Sequence, residues 1–374
     1  MVSTAARRLK IRHLTTVHDV DDSRILRREC KSLAEAGYDV ALVAGRAPRD
    51  DLVGVRIVGV GAARNRLDRA LRAAWRVYRA ARRERADIYQ FHDPELLWVG
   101  LALKLHGHRV VYDVHEDVPK QILNKFWLPR WVRRPVAVAV RLVEHLASSV
   151  FDAVVVANPA TATRFPAGKT VVVQNFPELT LAKGGESELG FEERPFAFAY
   201  TGGLSEAQGV REVVATAAAL GPDMPAVLAG SFDDDSLEAQ LRATPAWRSV
   251  CYLGRLPQPQ VMAAIRSARS GVALNRKVSN YFDAYSTKMF EYMACGIPVI
   301  CSDFPHWVQV VDDADCGIAV DPADPAAVAA AIHKVTADPD EARRLGGNGR
   351  RAVVERYNWD HEFTKLDALY RRIT

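Results

Sequence analysis

Short, continuous apolar runs alternate with amphipathic helical patterns from one end of this chain to the other, and that alternation excludes most folds. Seven such runs stand in the first half, at 11–17, 38–44, 55–60, 87–91, 109–113, 153–157 and 170–174. They are apolar at successive positions rather than at every second one, as parallel strands covered by helices on both faces require. The polar, Gly/Glu-rich stretch PELTLAKGGESELGFEERP (177–195) then interrupts the pattern and reads as an interdomain linker. The alternation resumes at 196–201, 226–230, 250–253, 271–274, 297–301 and 317–320. A chain of 374 residues is long for one domain. The chain is therefore predicted to be α/β, with two doubly wound domains at 1–176 and 196–356, and to bind ligands beyond the carboxyl ends of the strands.

The segment DAYSTKMFEYMACGIPV (283–299) carries the most chemistry. Ser286 and Thr287 are good helix caps, residues 288–295 carry a helix, Gly296 ends it and Pro298 opens the apolar run IPVIC. Asp283 and Glu291 lie eight positions apart across the helix start. A helix N-terminus offers unpaired N–H groups and a partial positive charge to a phosphate, and a carboxylate on the same helix accepts hydrogen bonds from sugar hydroxyls. Together they suggest a nucleotide-sugar site.

This segment resembles the acidic-x7-acidic signature of retaining GT-B glycosyltransferases, family 4 (group 1) in particular. The tail EYMACGIPV matches closely, while the first acid, usually Glu, is here Asp283. The resemblance covers nearly the whole chain. It implies the GT-B fold, two Rossmann-like domains facing a central cleft: an acceptor-binding domain at 1–176, a donor-binding domain at 196–356, and a last helix (357–374) that returns to the first domain.

The second predicted domain opens with AYTGGLSEAQGVREVV, a strand running into Gly202-Gly203, where backbone can approach a diphosphate closely. Family 4 enzymes usually read Gly-Arg-Leu, four residues, then Gly here, and the Arg and a Lys before that last Gly grip the donor phosphates. Aligned on Leu204 and Gly209, this chain has Gly203 and Gln208 at those places, so both cations are missing. Lys288 is the favoured replacement, with Arg211, then Arg276 and Lys277, as the others.

In the first domain, VVYDVHEDV sets His115 and Glu116 just after a predicted strand. This resembles the family's strand–His–acid element, whose His lies near the reacting sugar. His92 and His18 follow earlier strands in the same way and read, with Glu116, as acceptor-side contacts. No third ligand recurs at a spacing that would make these His-Asp pairs a metal site. The clusters Asp233-Asp234-Asp235 and Asp19/Asp21/Asp22 read as capped, solvated turns rather than a metal-binding Asp-x-Asp, and no GxGxxG follows a predicted first strand.

What the resemblance implies is a retaining, metal-independent hexosyltransferase. It would move a hexose from a nucleotide diphosphate sugar, UDP favoured, to an acceptor hydroxyl in glycan, polysaccharide or natural-product biosynthesis. Glu291 would bind the ribose and Asp283 the donor sugar. Lys288, the Ser286–Thr287 backbone and the Gly202–Gly203 loop would stabilise the leaving diphosphate, and no cofactor beyond the donor is implied. Two alternatives stay open: a nucleotide-sugar epimerase or phosphorylase on the same fold, and a non-catalytic nucleotide-sugar binding protein.

Charge and composition narrow the remaining classes. With 49% hydrophobic and 25% charged residues the chain reads as an ordinary globular protein. The five scattered cysteines form no CxxC pair and read as reduced core thiols. No apolar segment precedes the first strand as a signal peptide would, so a cytoplasmic location is expected. Nine arginines between 64 and 85 sit on a helix whose Leu67, Leu71, Ala74, Trp75 and Tyr78 form an apolar stripe, and NKFWLPRWVRRP (124–135) mixes aromatics with cations. Such segments suit a lipid-linked acceptor or peripheral contact with the inner face of a membrane, or else are solvated helices over core tryptophans. A net charge of +5 without a nucleic-acid motif argues against nucleic acid.

Overall fold

A computed structural model describes residues 8–46, 54–125, 128–183, 189–277 and 282–374. The chain divides into two compact units, one formed by Met1–Asn175 with His361–Thr374 and the other by Phe176–Asp360.

The first unit is built on a seven-stranded sheet ordered β3-β2-β1-β4-β5-β6-β7. Its strands are β1 (Lys10–Leu14), β2 (Asp39–Ala44), β3 (Arg56–Gly59), β4 (Ile88–Phe91), β5 (Arg109–Val114), β6 (Ala153–Val156) and β7 (Thr170–Val172). All pair in parallel. The central strands are buried along nearly their whole length, because Val, Ile, Leu, Ala and aromatic residues fill both faces under helices. The second unit carries a six-stranded parallel sheet ordered β10-β9-β8-β11-β12-β13. Its strands are β8 (Phe196–Thr201), β9 (Ala226–Ala229), β10 (Val250–Tyr252), β11 (Ala268–Ala273), β12 (Val299–Ser302) and β13 (Gly317–Val320). Each strand lies where an apolar run predicts one. In both sheets the order reverses beside the first strand, which is the doubly wound pattern.

Three features differ from the sequence expectation. The stretch 177–195 is not a free connector in its described part. Helix Leu179–Lys183 is part of the second unit and packs within it, burying Ala182, whose carbonyl accepts a 2.7 Å bond from Arg350 Nε. The basic helix of the first unit buries Ala73, Ala74, Val77 and Ala81, because small residues let it lie close to the sheet. Its larger apolar stripe points outward, with Leu67, Leu71 and Trp75 exposed. Ser286 occupies the N-cap position of helix Thr287–Ala294, but its hydroxyl makes no capping bond.

Helix Trp359–Ile373 closes the first unit. Tyr370 donates to Gln90, Tyr38 donates to Asp367 at 2.5 Å, and Glu362 accepts from the Gln174 N–H at 2.8 Å. Part of 124–135 lies outside the described residues.

Candidate active site

A cavity of about 370 Å³ opens where β8 and β9 end in the second unit, lined by Gly202, Gly203, Gly230, Arg255, Gln258 and Glu291 among others. Glycines make it possible. Gly202 sits at φ 104°, and a Cβ on Gly230 would lie 1.7 Å from the Gly202 carbonyl oxygen. Two strand ends can meet this closely only where one carries no side chain, which leaves backbone groups facing the cavity.

Helix Thr287–Ala294 delivers the acid. Tyr292 pins it to the sheet: its hydroxyl accepts from the Thr201 N–H at 3.1 Å and donates to the Val272 carbonyl at 3.2 Å. Gly271 leaves the ring its space, since a Cβ there would lie 2.2 Å from Tyr292 Cγ. One turn inside the helix, Glu291 reaches the cavity and accepts a 3.4 Å contact from Gln258 Nε2.

Lys288 is buried on the same helix. Its Nζ has no hydrogen-bond partner, lies 3.9 Å from the centre of the Tyr200 ring, and comes within 3.8 Å of where a Gly202 Cβ would stand. Burial pushes its amine down to about 7, against the opposing pull of the Glu291 charge. Beside it, the Gln208 amide fills the space a side chain at position 203 would need: a Cβ on Gly203 would lie 2.9 Å from Gln208 Oε1. A neutral amide and a glycine thus stand where the resembled pattern has two cations.

The other candidate residues are distributed unevenly. Arg211 is engaged by Glu206 and Gln240, each at 2.7 Å, and does not line the cavity. Arg276 pairs with Glu212 at 3.4 Å, and Lys277 with Asp303 at 3.0 Å. Asp283, Ser286 and Thr287 precede or begin the helix without lining the cavity, so Asp283 and Glu291 do not share it. Arg255, which sequence reasoning missed, does line it, on the loop after β10. Asp234 caps helix Asp235–Arg242 through a 2.8 Å bond from the Ser236 N–H, so the Asp233–Asp235 run is a capped turn.

In the first unit, β1, β4 and β5 deliver a polar cluster at their carboxyl ends, with His13 and Asp113 inside the strands and His92 and His115 just beyond them. His13 Nδ1 meets His92 Nε2 at 3.0 Å, and His92 Nδ1 meets His115 Nε2 at 3.0 Å and Asp113 Oδ2 at 3.1 Å. His115 Nε2 lies 3.3 Å from the same oxygen. Asp113 is thus the third ligand type that sequence spacing did not supply, and His92, Asp113 and His115 could gather on one metal ion. Those atoms are nonetheless partnered in the protein itself: Asp113 also accepts from Arg24 and Gln90, each at 3.2 Å. Burial would raise Asp113, but Arg24 and the histidines outweigh it and hold the carboxyl well below its ordinary range. Burial raises Glu29 and lowers His13, and it takes His92 down to about 4, so both of these imidazoles are neutral at pH 7. The His18 ring lies tilted against His115, with ring centres 4.6 Å apart, and pairs with Asp22 at 3.3 Å, while Glu116 is exposed next to His115.

Residues 186–352 match the family model described as Glycosyl transferases group 1, and residues 23–175 match the Glycosyl transferase 4-like domain. The chain is 25% identical over 301 residues to the alpha-maltose-1-phosphate synthase of Mycolicibacterium smegmatis, covering 73% of this chain and 76% of that protein. It is 32% identical over 96 residues to an MMP alpha-(1->4)-mannosyltransferase of Mycolicibacterium hassiacum, covering 25% of this chain and 23% of that one. Among solved structures it resembles sucrose-phosphate synthase of Thermosynechococcus elongatus, with TM-score 0.75, 22% identity, and 98% of this chain and 99% of that one covered. It also resembles HepE of Anabaena in complex with UDP and glucose, with TM-score 0.73, 16% identity, and 98% and 100% covered. The two structural likenesses show a fold of two Rossmann-like domains.

Proposed function

This chain belongs to the group 1 glycosyltransferases and has the GT-B fold, and from that premise we propose that it is a retaining hexosyltransferase using a nucleoside diphosphate sugar. The observation that carries the reading is the composition of one cavity. Glu291, the Gly202–Gly203 backbone and Arg255 line it, and the buried Lys288 amine lies behind Gly202. Glu291 accepts hydrogen bonds from the ribose hydroxyls, a role a carboxylate held by its helix fills at little entropic cost. The Gly202–Gly203 backbone approaches the diphosphate, and Lys288 and Arg255 offset its charge as the glycosidic bond breaks. Two neutral residues, Gly203 and Gln208, replace the pattern's cations; the charge comes instead from the helix and from the loop after β10.

In the transfer itself, the acceptor oxygen bonds to the anomeric carbon while the bond from that carbon to the diphosphate oxygen breaks. The hydroxyl proton goes to the departing diphosphate on the same face, so the configuration is retained and neither a protein nucleophile nor a metal ion is required. Uridine is the favoured base, because HepE, which this chain resembles in fold, is crystallised with UDP. The acceptor is a sugar hydroxyl, a phosphorylated sugar being the first to try. The test is release of nucleoside diphosphate from UDP-glucose, GDP-mannose and ADP-glucose with and without a panel of sugars and sugar phosphates. Acceptor-dependent release with an α-configured product by NMR supports the proposal. An inverted product, or donor turnover without acceptor, contradicts it.

A further inference from the structure

The apolar surface of this protein is unevenly spread. Of the seventeen large apolar side chains exposed among the described residues, eleven sit on three helical stretches of the first unit: 66–84, Leu97–Leu105 and Arg130–Val150. Helix Leu97–Leu105 packs against the other two, and all three bury their inner sides in the same core cluster. Their outer sides therefore form one surface.

Helix Arg130–Val150 dominates it, with 21 residues spanning about 30 Å at the α-helical rise. Trp131, Val138, Leu142 and Leu146 follow one another at helical spacing along its outward side, exposed by 81, 66, 56 and 58%. The opposite side buries Ala137, Glu144, Ala147 and Ser148. Arg130, Arg134 and Arg141 flank the apolar spine, and no exposed position of the helix carries a carboxylate; its one acid, Glu144, is buried and paired with Arg164. Exposed Trp75 of the 66–84 stretch stacks on exposed Trp98 of helix Leu97–Leu105 with ring centres 6.3 Å apart, and exposed Arg72 and Arg79 share the stretch of Trp75.

We propose that this face docks on an anionic lipid bilayer, the helices lying in the interfacial plane. An apolar spine with a one-sided basic flank and aromatic rings at its edge is the composition that partitions between headgroups and acyl chains. Charge decides the occupant. A second copy docked through helix Arg130–Val150 would set arginines against arginines with no exposed acid on that helix to meet them, whereas an anionic headgroup layer meets both the cations and the apolar spine. No helix among the described residues is long and apolar enough to cross a membrane, so the contact is with the surface.

The experiment is flotation of the full chain with phosphatidylglycerol–phosphatidylcholine vesicles and with phosphatidylcholine alone, at low and high salt. The proposal expects binding to the mixed vesicles, weakened by salt, and much less to the zwitterionic ones. Leu142→Glu with Leu146→Glu, and separately Arg134→Glu with Arg141→Glu, should each cut partition roughly tenfold or more. Val354→Glu, an exposed apolar position of the second unit, should not change it. Circular dichroism checks that each variant is folded. Absence of binding to anionic vesicles overturns the proposal, as does equal binding by the folded spine variants. Sedimentation that shows a dimer split by the Leu142/Leu146 change, with no vesicle binding, overturns it in favour of a second copy.

Discussion

The Lys288 amine stands 3.9 Å from the centre of the Tyr200 ring and has no hydrogen-bond partner. A buried ammonium held by a π-face and no acceptor is only partly compensated for lost water. The strand end carrying Gly202 lies against it, so a diphosphate on that loop would supply the missing anionic partner.

That arrangement makes nucleotide affinity depend on pH. Burial holds the free amine at about 7, and a bound diphosphate raises it. Below that pH the amine is already charged and affinity is flat. Above it, binding must take up a proton, so affinity should fall by up to about tenfold per pH unit. Calorimetry between pH 6 and 9, in buffers of different ionisation enthalpy, would show both the slope and the proton uptake. Lys288→Met should weaken binding at pH 6.5 and flatten the profile.

Stability should carry the opposite signature. The unfolded amine titrates near 10.5 and the folded one near 7, so between those values the unfolded chain binds the extra proton. Stability from this group therefore rises with pH across that window, and its cost is largest at and below pH 7. Lys288→Met should raise Tm at pH 7, with the gain shrinking towards pH 10. A lower Tm at pH 7 would mean that the amine is compensated in the folded state.

Arg255 should act as an exposed phosphate-side cation. Arg255→Gln is expected to weaken nucleoside diphosphate binding roughly threefold to tenfold at low salt, with the difference fading at high salt. A salt-independent loss in calorimetry would point to a packing role instead.

Gly230→Ala tests the geometry of the loop. The new Cβ would meet a backbone oxygen, which cannot swing aside, so a loss of about 2–4 kcal/mol in stability is expected, with nucleotide binding impaired in the folded fraction. Gly221→Ala is the control for glycine strain alone: its φ is also positive, at 88°, but nothing stands near it. Equal denaturation midpoints for the two would remove the close-approach argument.

The strands were legible because buried parallel strands must be largely apolar on both faces, as in AVVV at 153–156 and FAFAYT at 196–201. The helix carrying Glu291 was legible from its ending, with Gly296 at φ 70° as the glycine turn requires. Arg255 was not, because it reaches the cavity only through the pairing of β9 with β10 and the 2.8 Å bond from the Gly230 N–H to the Gly254 carbonyl. His92 and Asp113 meet because β4 and β5 pair with Phe91 opposite Tyr112, a register no linear spacing announces. The basic helix has two apolar sides, and periodicity alone does not say which one small residues will bring against the sheet.

The measurement closest to the central claim is calorimetric titration of UDP, GDP, ADP and TDP into the wild-type chain and into Glu291→Ala. The account predicts that one nucleoside diphosphate binds clearly best. Loss of the Glu291 carboxylate should then weaken that binding by roughly 1–3 kcal/mol, the cost of removing charged hydrogen bonds. Equal affinity of wild type and variant, or no binding of any nucleotide, would contradict the assignment of this cavity to the donor.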